Sequence, residues 1–501
     1  MFARVSSVAV VGMDGCPVDV EVDIAGGLPD FHVVGLPSTA IKEARRRVRA
    51  AVVNSGRDWP MRQITASLAP GDLRKDGALF DLPLAVGVLA AHGDVKVPDL
   101  SRYLLLGELA LDGRLRPIRG ALAAALTARK AGWRGIVLPK DNSAEAALVS
   151  GIDVFGAGSL SEALAFLSDK LTLSPAAAVS ADSLLGDCRY EGPDLSDVRG
   201  QAMVLRSMEI AAAGGHNLFM VGPPGCGKTM MAQRLPGILP PLTSSEALEV
   251  TQIWSVAGML KAEQPLVVNR PFRAPHHHAS AAAIVGGGSP VPRPGEISLA
   301  HRGVLFLDEL PLFSPMVLEA LRQPLEEGTI RVVRQGMSAI FPASVSMVAA
   351  ANPCLCGGSA DGGPACNCPA KRLEAYAARL SGPFLDRIDL QVEVPRLTQE
   401  ELFELEPSEP SASIRARVIE SRRFGATRLE QDGGPPRFGS LRPPVRKFLR
   451  QILAFDRSSA RGVDRILGVA RSIADLAHSE EVDEEHLAEA VQYRRNLWRP
   501  L

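Results

Sequence analysis

The chain has 501 residues, with 55 Lys and Arg against 56 Asp and Glu, a net charge of −1 and 46% hydrophobic residues. That length suits about three domains with full apolar cores. The near-neutral charge excludes a uniformly basic nucleic-acid coat, so any contact with a polyanion must come from local rows of cations or from one site repeated around an oligomer. The opening MFARVSSVAVVGMDG lacks a long apolar core and a small-residue cleavage site, and no run approaches the ~20 apolar residues that cross a bilayer. A cytoplasmic protein with no membrane partner is expected.

Residues 1 to 170 alternate strands and helices. Val18, Val20 and Val22 alternate with Asp19, Glu21 and Asp23, the period of a half-buried strand. Residues 39–53 read as a helix with Ile41, Ala44, Val48 and Val52 on one face, stopping before Asn54-Ser55-Gly56. Its Arg45, Arg46, Arg47 and Arg49 form either a DNA contact or a solvated face. Asp112-Gly113 predicts a two-residue hairpin turn, and 121–131, 135–139 and 160–167 extend the α/β pattern. The run 171–187, LTLSPAAAVSADSLLGD, has no clean period and reads as a linker reaching to about 190.

The central segment, 191–400, carries the chemistry. Gly222-Pro223-Pro224-Gly225-Cys226-Gly227-Lys228-Thr229 is a complete phosphate-binding loop between an apolar strand, 218–221, and a helix from 230. Its backbone N–H groups would cradle the phosphates of ATP, Lys228 would reach the β and γ oxygens, and Thr229 would ligate Mg²⁺. Cys226 reads as a spacer. The second half of the site follows 79 positions after Thr229 in VLFLDEL, which ends on Asp308 and Glu309. Then come a helix at 316–326, a hairpin in TIRVVRQGMSAIF and a core strand in ASVSMVAAAN, the succession of a parallel-sheet NTPase core with insertions. The hairpin tip, with Arg331, Arg334 and Gln335, is either a pore loop that contacts phosphate or a solvated turn. From 401 onward four helices are expected, at 413–423, 445–455, 459–478 and 483–494, making a helical lid.

Two clusters invite a metal reading. Of seven cysteines, Cys354, Cys356, Cys366 and Cys368 fall in one Gly- and Pro-rich stretch. Four thiolates suit tetrahedral Zn²⁺, although one-residue spacing within each pair is tighter than usual; a redox-active cluster is the alternative. A metal there would rigidify the strand that ends at Asn352. The triple His276-His277-His278 reads as a polar loop near nucleotide or DNA, because adjacent residues of a helix or strand cannot all face one ion and no carboxylate lies nearby in sequence.

The motifs DVRGQ (197–201), GPPGCGKT, PFRAPHHHAS, PGEISLAHRGVLFLDEL, AANPCLCGG and SGPFLDRIDL closely resemble the magnesium-chelatase-like branch of the AAA+ ATPases. Within that branch the chain is similar to the ComM/YifB family, which carries an amino-terminal domain resembling the Lon proteolytic domain. The resemblance implies a homo-hexameric ATPase acting on DNA in branch migration. It makes Asp308 an Mg²⁺ holder, Glu309 the residue that orients and deprotonates the attacking water, and Asn352 a sensor of the γ-phosphate. It implies an arginine finger at Arg387, against the alternative of an Arg paired to Asp386 or Asp389 on a surface turn. It also implies a lid sensor at Arg461, with Arg465 as the competing choice, and a helical insert facing a central pore between Lys228 and Asp308. In RKDGALFDLPLAVGVLAA the position of the Lon serine is Leu79, and Ser67 precedes the motif, so no protease activity is expected. Other readings are a magnesium-chelatase motor subunit and a protein-remodelling ATPase.

Overall fold

The computed structural model describes the whole chain except residues 37–38, 76, 98, 187–189, 289–290, 335–336, 357–365, 367, 381, 433–440, 456–459, 495–497 and 499–501. The amino-terminal strands are β1 (Phe2–Val11), β2 (Asp14–Ala25), β3 (Asp30–Val34), β4 (Gln63–Ala69), β5 (Tyr103–Leu105), β6 (Glu108–Leu109), β7 (Leu115–Arg116), β8 (Gly135–Pro139) and β9 (Asp153–Ala157). Downstream lie β10 (Leu218–Val221), β11 (Phe272–Arg273), β12 (Val304–Leu307), β13 (Thr329–Arg334), β14 (Met337–Pro342), β15 (Ser346–Ala351) and β16 (Leu390–Glu393).

Seven of the amino-terminal strands form one mixed sheet, ordered β3-β4-β2-β1-β5-β8-β9. The alternation in β2 is resolved as expected: Val18, Val20 and Val22 are buried while Asp19, Glu21 and Asp23 are not. One face packs against helices Thr39–Asn54 and Asp81–His92, the second of them almost wholly buried and therefore apolar all round. The other face packs against Ala121–Ala131. The hairpin at 112–113 differs from the two-residue expectation. Ala110 N donates to Arg114 O at 2.9 Å and Gly113 N to Ala110 O at 3.0 Å, so the turn spans three residues, with Gly113 in the left-handed region at φ 84. A glycine at that third position is what a three-residue turn requires.

The linker is not a free tether. Ala176 N donates to Val154 O at 2.7 Å, and a short helix, Ala181–Gly186, buries Ala181 in the core beneath the amino-terminal sheet. Leu242, Ala247 and Leu266 of the following segment join the same cluster. The insert helix Ser244–Ala257 thus lies against the amino-terminal unit, with Ser255 donating to the buried Glu145 carboxylate, which also accepts from Leu122 N at 2.9 Å.

The central sheet is entirely parallel, ordered β11-β12-β15-β10-β16. Every residue of β10 and β12 is buried. At about 1.5–3 kcal/mol per buried large apolar side chain, these short strands are firm anchors for the loops they carry. The hairpin of β13 and β14 buries Val332, Ala339 and Phe341 against Met13 at the β1–β2 turn. Gly12 sits so close that a Cβ there would stand 2.6 Å from the Ala339 Cβ, which explains a glycine at φ 64.

The carboxy-terminal helices are Ser411–Asp432, Pro443–Phe455, Ala460–Leu476 and Glu484–Gln492. The first runs past its expected end at 423 because Gly425 does not stop it. Gly425 faces a crossing helix instead, where a Cβ would lie 3.1 Å from Asp475 Oδ2. Among the described residues no helix is long and apolar enough to cross a membrane.

Candidate nucleotide site

Three strands bring the site together by ending at one edge. In the parallel register Val221 pairs with Ala351 and Leu307 with Ala349, so the residues that follow each strand emerge side by side: Gly222 after β10, Asp308 after β12 and Asn352 after β15. Ligands of open parallel sheets bind at this carboxyl edge. Gly225 at φ 79 and Gly227 at φ 94 take the left-handed turns of the phosphate loop, which a Cβ would strain, and Lys228 opens the helix Lys228–Ile238. Backbone donors and a helix start therefore face one point, an anion cradle.

Lys228 is buried, and its Nζ donates to Gly222 O at 2.7 Å, Pro223 O at 2.8 Å and Asn352 Oδ1 at 3.1 Å. The Cys226 sulfur is 3.6 Å from the same nitrogen, at the wall of the loop. Thr229 Oγ1 donates to Asp308 Oδ2 at 2.9 Å, which joins the two residues expected to hold Mg²⁺. Glu309 follows in a left-handed conformation at φ 51, and its N–H donates to Asp308 Oδ1 at 2.9 Å. Such backbone is costly for a non-glycine residue and marks a side chain aimed by its loop. A cavity of about 350 Å³ lies here, lined among others by Thr229, Gln233, Phe272, His277, Asp308 and Glu309.

His277 is the functional neighbour that spacing along the chain did not expose. The triple His276-His277-His278 follows β11 at the same sheet edge, and His277 Nδ1 stands 3.1 Å from Glu309 Oε2. Two points of the sequence argument are corrected. The triple occupies a turn, so the three rings do bring ligand atoms within 4.8 Å of one another, and a carboxylate does lie beside them. Its placement on the nucleotide cavity agrees with a polar loop near nucleotide. PHHHAS follows the two-residue edge strand β11, which is too short to show a period in the sequence.

The arginines separate clearly. Arg465 forms an ion pair with the buried Asp389 and also donates to Arg387 O at 3.1 Å, while Asp389 Oδ2 accepts from Asn217 N at 2.8 Å. Arg461 is exposed, one turn earlier on the same helix. Arg387 is buried. Its Nη2 stands 2.8 Å from Glu326 Oε1, its Nη1 donates to Pro383 O at 2.5 Å and its Nε to Arg322 O at 3.3 Å. The alternative of a surface turn paired with Asp386 or Asp389 is thereby corrected, since the partner is Glu326 and the site is internal.

Of the basic helix, Arg47 turns inward to Asp81, at 2.9 Å, and Arg45 donates to Phe31 O at 2.8 Å, while Arg46 and Arg49 are exposed. Burial pushes the Asp81 carboxyl up to about 6 despite the Arg47 pair. Leu79 is half-buried between the two cores of the amino-terminal unit, and Ser67 lies within β4. Arg331 and Arg334 are exposed on the hairpin; Gln335 lies outside the described residues. Among the described residues the four cysteines of the quartet form no disulfide, with Cys354 buried and Cys356 exposed.

A five-stranded parallel sheet with a phosphate loop, an acidic pair and an Asn at adjacent strand ends defines an AAA+ ATPase. Family models described as magnesium chelatase, subunit ChlI, match residues 194–402 and, for its own C-terminal part, 408–494; a third, subunit ChlI of Mg-chelatase, matches 20–142. The chain is 46% identical to an uncharacterized protein of Mycobacterium tuberculosis over 98% of both chains. It is 44% identical to the uncharacterized protein YifB of Escherichia coli over 97% of this chain and 96% of that one. With the competence protein ComM of Haemophilus influenzae the identity is 41%, over 98% and 97%. A shorter match, 26% identical over 28% of this chain and 18% of the other, is to the Lon protease of Brevibacillus choshinensis. The chain belongs to the magnesium-chelatase-like ComM/YifB family: a Lon-like α/β amino-terminal part, an AAA+ core and a helical carboxy-terminal part.

Proposed function

We propose that this chain is the subunit of a cytoplasmic, homo-hexameric ATP-driven DNA motor of the branch-migration type, acting in recombination or natural transformation. The observation that carries the ATPase half is that Thr229, Asp308 and Glu309 line one cavity while Lys228 and Asn352 are hydrogen-bonded to each other at the same sheet edge. Thr229 and Asp308 would hold Mg²⁺, which would offset charge on the β and γ oxygens. Lys228 exchanges its backbone carbonyl partners for phosphate. Asn352, already bonded to Lys228, reports whether that exchange has occurred. Glu309 then accepts the proton of the attacking water. Arg461, exposed on the lid, would contact the γ-phosphate, and Arg387 would act across a subunit boundary.

DNA as the moved polymer is supported by the likeness to a protein named for competence and by the exposed Arg331 and Arg334 on a hairpin anchored at its base. A chelatase motor is the second reading, supported by the family models; the fused Lon-like part speaks against it. Leu79 at the nucleophile position speaks against proteolysis. ATP turnover measured with and without forked or Holliday-junction DNA decides. Stimulation that is weakened by salt supports the motor, and no stimulation at any salt sinks it. Glu309→Gln serves as the control: it should keep ATP affinity and abolish turnover.

A further inference from the structure

We propose that Cys354, Cys356, Cys366 and Cys368 bind one zinc ion as four thiolates, and that this ion fixes the end of the sensor strand. The four sulfurs lie within 4.8 Å of one another. Cys354 and Cys356 are 3.1 Å apart, Cys354 and Cys366 3.4 Å, and Cys356 and Cys366 3.6 Å. Zn–S bonds of about 2.3 Å in a tetrahedron put sulfurs about 3.8 Å apart, so a small outward relaxation of this cluster receives the ion. Four soft ligands of one kind, with no imidazole or carboxylate among them, select Zn²⁺ over the hard cations Mg²⁺ and Ca²⁺. Binding releases the thiol protons to solvent, and no electron transfer is involved. Cys356 is exposed, which gives the ion a way in.

The surrounding sequence needs such a staple. Residues 357–365 read GGSADGGPA, with alanine as their only apolar type, so this excursion holds no side chains that could bury a core of its own. Cys354 is buried two residues beyond Asn352, and Cys368 directly precedes Pro369 and the helix Ala370–Ala377. On that helix the buried Tyr376 donates its hydroxyl to Asn352 O at 3.2 Å. An ion shared by both cysteine pairs ties the strand end to the helix start, and so holds the backbone of the residue whose side chain accepts from Lys228. The metal site stands whether or not the chain moves DNA.

The test is zinc content of the full chain purified under reducing conditions, followed by cobalt exchange. We expect one zinc per chain in the wild type and in His276→Ala/His278→Ala, and loss in Cys366→Ser/Cys368→Ser. Cobalt-substituted wild type should show tetrahedral visible bands with strong sulfur-to-metal charge transfer, a readout that needs no variant to fold. Chelated wild type should bind a non-hydrolysable ATP analogue about threefold or more weakly. Zinc no higher than in the cysteine variant, acid-labile sulfide with bound iron, or alkylation mapping that finds the cysteines as disulfides would each overturn the site. Unchanged analogue affinity after chelation would overturn its hold on the sensor strand.

Discussion

His277 Nδ1 stands 3.1 Å from Glu309 Oε2, so the residue proposed to activate water is paired with a side chain that follows a neighbouring strand. Glu309 is about half exposed, so exchanging the imidazole for water carries little desolvation cost. A partly exposed pair of this kind is worth about 0.5–1 kcal/mol. His277→Ala should therefore raise basal ATP turnover about twofold to fivefold and shrink the stimulation by any polymer cofactor. Steady-state turnover with and without DNA measures both. A variant with lowered basal turnover would mean that His277 assists the reaction instead of restraining Glu309.

Arg387 cannot reach a neighbouring subunit while it is bound to Glu326 and two backbone carbonyls. Acting across a boundary requires that assembly exchange those partners for phosphate. Arg387→Ala should then lower ring ATPase about 10²-fold or more, while the melting temperature changes little because Glu326 is already partly solvated. Mixing Arg387→Ala with Lys228→Ala subunits should restore some turnover, since some boundaries then pair an intact loop with an intact arginine. No rescue at any ratio, together with a large loss of stability, would make the Glu326 pair the whole role of Arg387.

The nucleotide site was legible because its residues occupy strand ends in a fixed local context. Glycines at 225 and 227, the apolar run before Asp308 and the strand leading to Asn352 each announce themselves within a few residues. The failures share one cause: partners distant in sequence. Nothing near Arg387 announces Glu326, nothing near His277 announces Glu309, and Gly425 looks like a helix stop until the helix crossing at Asp475 is known. The packing of the linker was hidden for the same reason, since Ala181 has no local period and is buried by residues from two other segments.

Arg461 and Arg465 lie one helical turn apart, yet they predict opposite phenotypes. Arg465→Ala leaves the buried Asp389 with the Asn217 N–H and the His216 ring at 4.0 Å, at a cost of about 2–3 kcal/mol, toward the low end for a broken internal pair because Arg465 is partly exposed. Its melting temperature should fall by several degrees. Arg461→Ala should leave the fold within about 0.5 kcal/mol. If Arg461 contacts the γ-phosphate, turnover in that variant falls about tenfold or more at unchanged melting temperature. Normal turnover in Arg461→Ala would remove it from the site.

Two histidines, the buried His301 and the largely buried His216, give the chain a defined acid sensitivity. Burial holds the His216 imidazole below the ordinary histidine range; Arg465 and Arg422 push the same way, while Asp389 opposes them. Burial also lowers His301, with Arg302 adding to it and Glu249 and Glu246 opposing. His216 Nε2 lies 2.8 Å from Ser472 Oγ, and His301 Nδ1 accepts from Ser344 N at 3.1 Å, so both rings are tied into the fold. The unfolded chain takes up each proton near pH ~6.5, the folded chain only at lower pH. Their contribution is therefore fully present above about pH 6.5 and is lost as pH falls toward the folded values, by at most about 1.4 kcal/mol per pH unit for each histidine. Melting temperature should drop between pH 7.5 and pH 5.5. His216→Gln, which can still bond Ser472 but cannot titrate, should make that drop shallower. An equal slope in wild type and variant would show that His216 is already protonated in the fold, or that its proton uptake is the same folded and unfolded.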